Sequence, residues 1–150
     1  MGVSPLDPVY IYKFTVPADS LDENGHVNNV RFVQWMQDAA VRHYESLGGI
    51  SLSQAVGATW VVRSHNIEYL RPAFAGDRIH VRTWVVNIHR VRSLRRYRFI
   101  RVADGKLLVK AETDWVFVNA TSGAPMAVPE QILHIFPLLP EECPRKTPFP

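Results

Sequence analysis

A single long amphipathic helix, followed almost entirely by strand-like segments, is the feature that most restricts how this chain can fold. Apolar residues recur at steps of three and four from Val30 to Leu47, which is the period of one buried helix face. Asn28 or Asn29 fits as the N-cap, and the glycine pair at 48–49 supplies a natural stop. We find no second long helix, so this one has to serve the whole core.

The other regular segments have the composition and alternation of strands. β-Branched and aromatic residues are concentrated in 9–16, 59–70, 78–89, 93–102 and 107–119, as is typical of strands. A short helix is predicted over 129–136, with a proline in its first turn. One helix cannot cover both faces of such a sheet. We therefore expect an α+β fold, an antiparallel sheet wrapped around one central helix, with another face or edge buried against a second copy.

Length and composition favour a single soluble domain. The chain has 150 residues, 47% of them hydrophobic and 21% charged, which fits one domain over 1–150, with a core at about 9–136 and a tail at about 137–150. Cys143 is the only cysteine, so no intrachain disulfide can form. The sequence has no membrane-spanning apolar run, and we expect no signal peptide, because residues 1–10 lack its basic and apolar regions. We expect a cytoplasmic protein without a membrane partner.

The segment between the first strand and the helix carries the most recognisable motif. Asp22-Glu23-Asn24-Gly25-His26-Val27-Asn28-Asn29 resembles the D-x-x-G-H-V-N-N signature of hotdog-fold thioesterases. These include 4-hydroxybenzoyl-CoA thioesterase-like proteins and acyl-acyl-carrier-protein thioesterases. Residues 67–73 and the Gly-Asp pair at 76–77 resemble a second stretch of the family. The resemblance covers roughly residues 9 to 130.

The resemblance implies a single hotdog domain that forms a homodimer or homotetramer, with active sites between two subunits. It implies a catalytic carboxylate at Asp22 and a backbone N–H near Asn29 that holds the thioester carbonyl. Asn24 and His26 fall where plant-type acyl carrier thioesterases have catalytic or substrate-orienting residues. We therefore treat Asp22, Asn24, His26 and Asn29 as the candidate catalytic residues.

The sequence departs from those plant-type relatives in the second stretch. Their downstream carboxylate aligns with the Pro72–Ala73 region here. Glu68 is the nearest alternative carboxylate, and the strand pattern leaves its face open.

Thioester hydrolysis suits this motif chemically. The first turn of a helix offers unpaired N–H groups and a partial positive charge, which stabilise a developing oxyanion. Asp22 could attack the carbonyl carbon or activate a water. A thiolate leaves readily, and the chain lacks a G-x-S-x-G elbow. We expect no cofactor and no metal; coenzyme A or phosphopantetheine arrives as part of the substrate.

The basic charge is concentrated in one segment. Eight arginines and no acidic residue lie between Arg78 and Arg101, although the whole chain has a net charge of only +3. A local excess indicates a polyanionic partner. Four arginines around a predicted turn are the candidate substrate-binding residues for coenzyme A phosphates or an acidic carrier protein: Arg90, Arg92, Arg95 and Arg96. The alternative is a solvated face whose arginines pair with Glu112 or Asp114.

Three other functions compete with thioester hydrolysis. His26 keeps open a hydratase or dehydratase on the same fold. A non-hydrolytic acyl-thioester-binding protein is also compatible, because a fold does not fix a function. A nucleic-acid partner is not expected, because the basic strands lack a recognisable binding motif.

Overall fold

The computed structural model describes residues 7–140. Residues 1–6 and 141–150, and with them Cys143 and most of the predicted tail, lie outside the described residues. The main elements follow in chain order: β1 (Tyr10–Thr15), α1 (Asn29–Ser46), α2 (Gly49–Ala55), β2 (Ala58–Tyr69), β3 (Arg78–His89), β4 (Arg92–Arg101), β5 (Leu107–Asn119) and α3 (Glu130–Leu133).

The five strands form one antiparallel sheet in the order β1-β3-β4-β5-β2. The central strands are β3, β4 and β5, and the two edges are β1 and β2. The sheet, the long helix α1 and the strand bounds confirm the predicted α+β hotdog architecture to within one residue at most strand ends.

One face of α1 packs into the core against the sheet. Its buried side chains include Phe32, Trp35 and Met36. The Phe32 ring meets the Phe99 ring of β4 edge-on at 5.3 Å between centroids, a favourable arrangement for two aromatic quadrupoles. The same cluster contains Leu108 of β5, so β4 and β5 both contribute to the core beneath α1.

The short helix α2 was not expected from the sequence. Gly48 adopts a left-handed conformation, φ 79°, and ends α1, as glycine readily does. Gly49 then begins α2 directly, where an added Cβ would lie 2.1 Å from the Tyr44 ring. The Tyr44 hydroxyl lies 2.5 Å from Ser53 Oγ and ties the two helices together. At seven residues, α2 is too short for a helical period to emerge.

The second face of β3 is buried within a single chain. Every residue from Ile79 to Val86 is buried, including Trp84 on the face away from α1. The Arg98 guanidinium lies 5.3 Å above the Trp84 ring. On the same face of β4, Arg96 and Arg98 are only partly buried, so the outer face is closed over β3 and stays accessible over β4.

Asn28 connects the loop before α1 to the helix. Its side-chain Oδ1 accepts a hydrogen bond from the Val30 N–H at 3.0 Å. Its own N–H donates to the Ser20 carbonyl at 2.8 Å. Asn28 is therefore the N-cap, and Asn29 is the first helical residue.

We expect Asn28→Ala to lower the free energy of unfolding by about 1 kcal/mol, the usual loss for a removed cap. Asn28→Asp should retain most of the stability, because a carboxylate oxygen can accept the same bond. Urea denaturation of both variants measures the difference. Equal losses in the two variants would contradict the capping role.

Candidate active site

The residues before α1 form a tight loop closed by an antiparallel bridge between Leu21 and Val27. Within it, the Asp22 N–H donates to the His26 carbonyl at 2.7 Å. Gly25 has φ 76°, a left-handed conformation that glycine adopts at little cost. The Val27 N–H donates to the Ala73 carbonyl at 2.9 Å and fixes the loop to the segment after β2.

The Asp22 carboxylate is oriented by its own loop. Oδ1 accepts hydrogen bonds from the Asn24 N–H at 2.9 Å and the His26 N–H at 3.2 Å, an arrangement typical of aspartate in turns. Oδ2 makes no hydrogen bond to residues 7–140, and the side chain is exposed. One oxygen thus holds the geometry while the other is available for chemistry.

The first turn of α1 contributes a free backbone donor. The Val30 N–H is satisfied by the Asn28 side chain. Across the described part of the chain, the Asn29 N–H makes no hydrogen bond. It lies at the positive end of an 18-residue helix, where a free N–H can stabilise negative charge on oxygen.

Two of the four predicted catalytic residues, Asp22 and Asn24, share one open cleft. It is lined by Leu21, Asp22, Glu23, Asn24 and Asn28. His26 does not line it, since its ring lies edge-on against Phe74 at 5.3 Å. The structure therefore brings Asn24 to the same cleft as Asp22 and directs His26 elsewhere.

Tyr69, at the end of β2, is a neighbour of the site that we did not single out from the sequence. Its hydroxyl donates to the Asn29 carbonyl at 3.1 Å, and its ring packs edge-on against Phe32. Burial raises the pKa of Tyr69, so the phenol stays protonated as a donor. The only signal in the sequence was its place in the second stretch of the motif.

Glu68, the other carboxylate considered from the sequence, lies away from the Asp22 cleft within one chain. Successive residues of a strand point to opposite faces, and Tyr69 points toward α1. Glu68 therefore lies on the outer face, where it shares a groove with Arg96 and Lys110. Within one chain, Glu68 therefore points away from α1.

The four candidate arginines do not form one cluster. Arg90 is in the β3–β4 turn with φ 55°, Arg92 forms an ion pair with Asp114, and Arg96 Nε lies 3.4 Å from Glu112. Arg95 instead points inward and is 4% exposed. The alternation of β4 separates it from Arg96.

Residues 7–140 contain neither a metal-binding cluster nor a membrane-spanning helix. No group of three or more His, Cys, Asp or Glu side chains there could hold a metal ion. None of the helices in this range is both long and apolar enough to cross a membrane.

Solved structures show the same fold as this chain. A DHNA-CoA thioesterase from Staphylococcus aureus aligns with a TM-score of 0.73 and 20% identity over 79% of this chain and 80% of its own. A 1,4-dihydroxy-2-naphthoyl-CoA thioesterase from Synechocystis gives 0.76 and 20% over 85% and 94%. A gentisyl-coenzyme A thioesterase gives 0.75 and 19% over 85% and 100%.

At the level of sequence, no curated protein matches the chain. A family model described as the Thioesterase-like superfamily matches residues 16–136. That range contains the Asp22 loop, α1 and four of the five strands. The chain therefore belongs to the thioesterase-like superfamily and is an enzyme of the thioesterase type.

Proposed function

We propose that this protein hydrolyses an acyl thioester of coenzyme A or acyl carrier protein to the free acid and the thiol, with Asp22 as the reacting carboxylate. The observation that carries the proposal is the pairing of a preoriented carboxylate with the free Asn29 N–H at the start of α1. The related structures named as CoA thioesterases favour coenzyme A as the carrier.

In the proposed reaction, the thioester carbonyl oxygen accepts a hydrogen bond from the Asn29 N–H. Negative charge on that oxygen grows as the carbon becomes tetrahedral, so the donor stabilises the transition state more than the substrate. Collapse of the intermediate breaks the carbon–sulfur bond. The thiolate leaves without a strong general acid.

The Asp22 carboxylate could act in either of two ways. As a nucleophile, Oδ2 adds to the carbonyl carbon and gives an acyl anhydride that water then hydrolyses. As a general base, it takes a proton from a water that attacks the same carbon. The Tyr69 bond to the Asn29 carbonyl supports both routes, because it fixes the first turn of α1.

We expect Asp22→Asn to lower kcat at least about 100-fold, the usual range for a lost acid–base group. Its amide oxygen can still accept the loop hydrogen bonds, so the fold should persist. Thiol release from short, long and aromatic acyl-CoAs measures turnover, and thermal unfolding checks the fold.

Glu23→Gln is the matched control for Asp22→Asn. It removes a carboxylate from the same cleft without touching the proposed reacting group, and should keep near wild-type turnover. Full activity in Asp22→Asn would refute the assignment. Equal losses in both variants would indicate an effect of charge alone.

The surface arginines are proposed to contact the phosphates of coenzyme A or an acidic carrier. Arg90, Arg92 and Arg96 suit this role because their guanidinium groups can bind phosphate bidentately. The ion pairs of Arg92 and Arg96 are exposed enough to exchange partners at small cost.

Arg96→Gln is expected to raise KM for acyl-CoA by about tenfold, the equivalent of one charge-assisted hydrogen bond. KM for the corresponding N-acetylcysteamine thioester, which lacks the nucleotide, should stay unchanged. Glu112→Gln frees Arg96 without removing it and serves as the control. An equal rise in KM for both substrates would leave only a structural role for Arg96.

We also propose that two copies pair through β2. This strand has 12 residues and, among residues 7–140, pairs only with β5. Val61 is 43% exposed and Val62 is 37% exposed. A long, exposed, apolar edge readily pairs with another chain. If two copies of β2 pair in antiparallel orientation around the middle of the strand, the end of one β2 lies next to the start of the partner's β2. The end of β2 is the part that lies beside Asn29.

Sedimentation should therefore show a dimer or a larger assembly. Val61→Lys introduces a charge at the edge and should shift the protein toward monomer, with a parallel loss of turnover. Leu133→Lys, at a comparably exposed position on α3, should keep the wild-type assembly. A monomeric wild type with full activity would exclude a composite site.

A further inference from the structure

An apolar cavity lies at the opposite end of α1 from the Asp22 loop. It has a volume of about 450 Å³ and is bounded by the second half of α1, by α2 and by the sheet. From Asn29 to Ala40, the first helix residue on its wall, the helix rises about 17 Å at 1.5 Å per residue. The apolar lining includes Ala40, Ile50, Val85, Trp115 and Phe136.

One buried charge faces this space. Arg95 lines the cavity and is 4% exposed. Its Nη1 donates to His43 Nδ1 at 2.9 Å and to Thr83 Oγ1 at 3.1 Å. Nε and Nη2 make no hydrogen bond to the described residues. We call this space the Arg95 cavity.

Nothing in the described chain neutralises Arg95. No carboxylate of residues 7–140 lies within 4.0 Å of its guanidinium. His43 is neutral at ordinary pH, because burial, and secondly the charge of Arg95, lower its pKa to about 3. Tyr97 also stays neutral, because burial raises its pKa. A buried cation without a counterion is costly, and binding an anion would remove that cost.

We propose that the Arg95 cavity binds an apolar organic acid whose carboxylate contacts the Arg95 guanidinium. The volume lies in the range of small-molecule sites and is about three times the ~150 Å³ of an apolar cavity that holds benzene. The walls take the hydrocarbon part, and the free guanidinium N–H groups take the carboxylate. A cationic or uncharged head group would leave Arg95 without a counterion.

Two kinds of molecule could supply the carboxylate that contacts Arg95. A free acid could occupy the cavity as product or effector. Alternatively, the acyl group of a thioester could carry a second, terminal carboxylate. This second source rests on the proposed function and on pairing through β2, because Ala58, Thr59 and Trp60 at the start of β2 line the cavity and would face the partner's site.

The binding experiment uses the whole wild-type protein and three eight-carbon probes: octanoate, octan-1-ol and octylamine. Trp60 and Trp115 line the cavity, so their fluorescence reports occupancy, with calorimetry as a second readout. Octanoate should bind at least tenfold more tightly than octan-1-ol, as expected for hydrogen bonds to a charged group. Octylamine should bind most weakly. Equal affinities for octanoate and octan-1-ol would overturn the proposal.

Two variants locate the binding. Arg95→Met should remove the preference for octanoate over octan-1-ol, whereas Arg96→Met, one residue away on the other face, should keep it. Because Arg95→Met could fail to fold, Ile50→Trp provides a second variant that fills the cavity from α2. It should abolish binding of both probes. Unchanged octanoate binding in either folded variant of the cavity would overturn the proposal.

A kinetic experiment distinguishes a free acid from a thioester acyl group that ends in a carboxylate. Wild type is assayed with octanoyl-CoA and with suberoyl-CoA, whose eight-carbon acyl group ends in a carboxylate. A tenfold higher kcat/KM for suberoyl-CoA that disappears in Arg95→Met assigns the cavity to the acyl group. Equal values assign it to a free acid. Absence of turnover on all thioesters would count against the proposed function while leaving the binding result intact.

Discussion

The contact between the buried face of α1 and the sheet determines where everything else in this protein lies. Phe32, Trp35 and Met36 fix the helix axis against the central strands. Once the axis is fixed, the first turn of α1 must lie beside the Asp22 loop and the end of β2. The second half must lie over Arg95. Both candidate sites are consequences of one packing arrangement.

The two ends of α1 offer different chemistry because their surroundings differ. Before the first turn, the exposed Asp22 carboxylate lies in an open cleft and is kept in place by the loop hydrogen bonds. The cleft is also lined by Asn28, the residue before the free Asn29 N–H. At the far end, a single cation that is almost fully buried lies among apolar side chains, where electrostatic interactions are stronger. Hydrolysis needs the open cleft at Asp22, because water must enter and the thiol must leave. The buried surroundings of Arg95 are better suited to selecting a ligand by its charge.

Most of the fold could be predicted from the sequence, and the contacts that could not be predicted depend on tertiary structure. The alternation of apolar and polar residues predicted the strands, and apolar residues spaced by three and four predicted α1. Each pattern extends over at least two turns or several residue pairs, which is long enough to be recognised. Arg95 was grouped with Arg96 by proximity along the chain, although strand alternation places them on opposite faces. Tyr69 reaches Asn29 across 40 positions, a contact that only the closed sheet creates. The motif alone identified Asp22.

Arg95 is difficult to explain by stability alone. A guanidinium with only neutral partners gains hydrogen bonds from His43 and Thr83, but loses several kcal/mol of hydration. Apolar residues of similar size often replace buried charges without loss of stability, and the walls around Arg95 are already apolar. Folding therefore gives no reason for a cation at this position. An anion that enters the cavity gives one, because the same desolvation that makes the buried cation costly strengthens its attraction for a carboxylate.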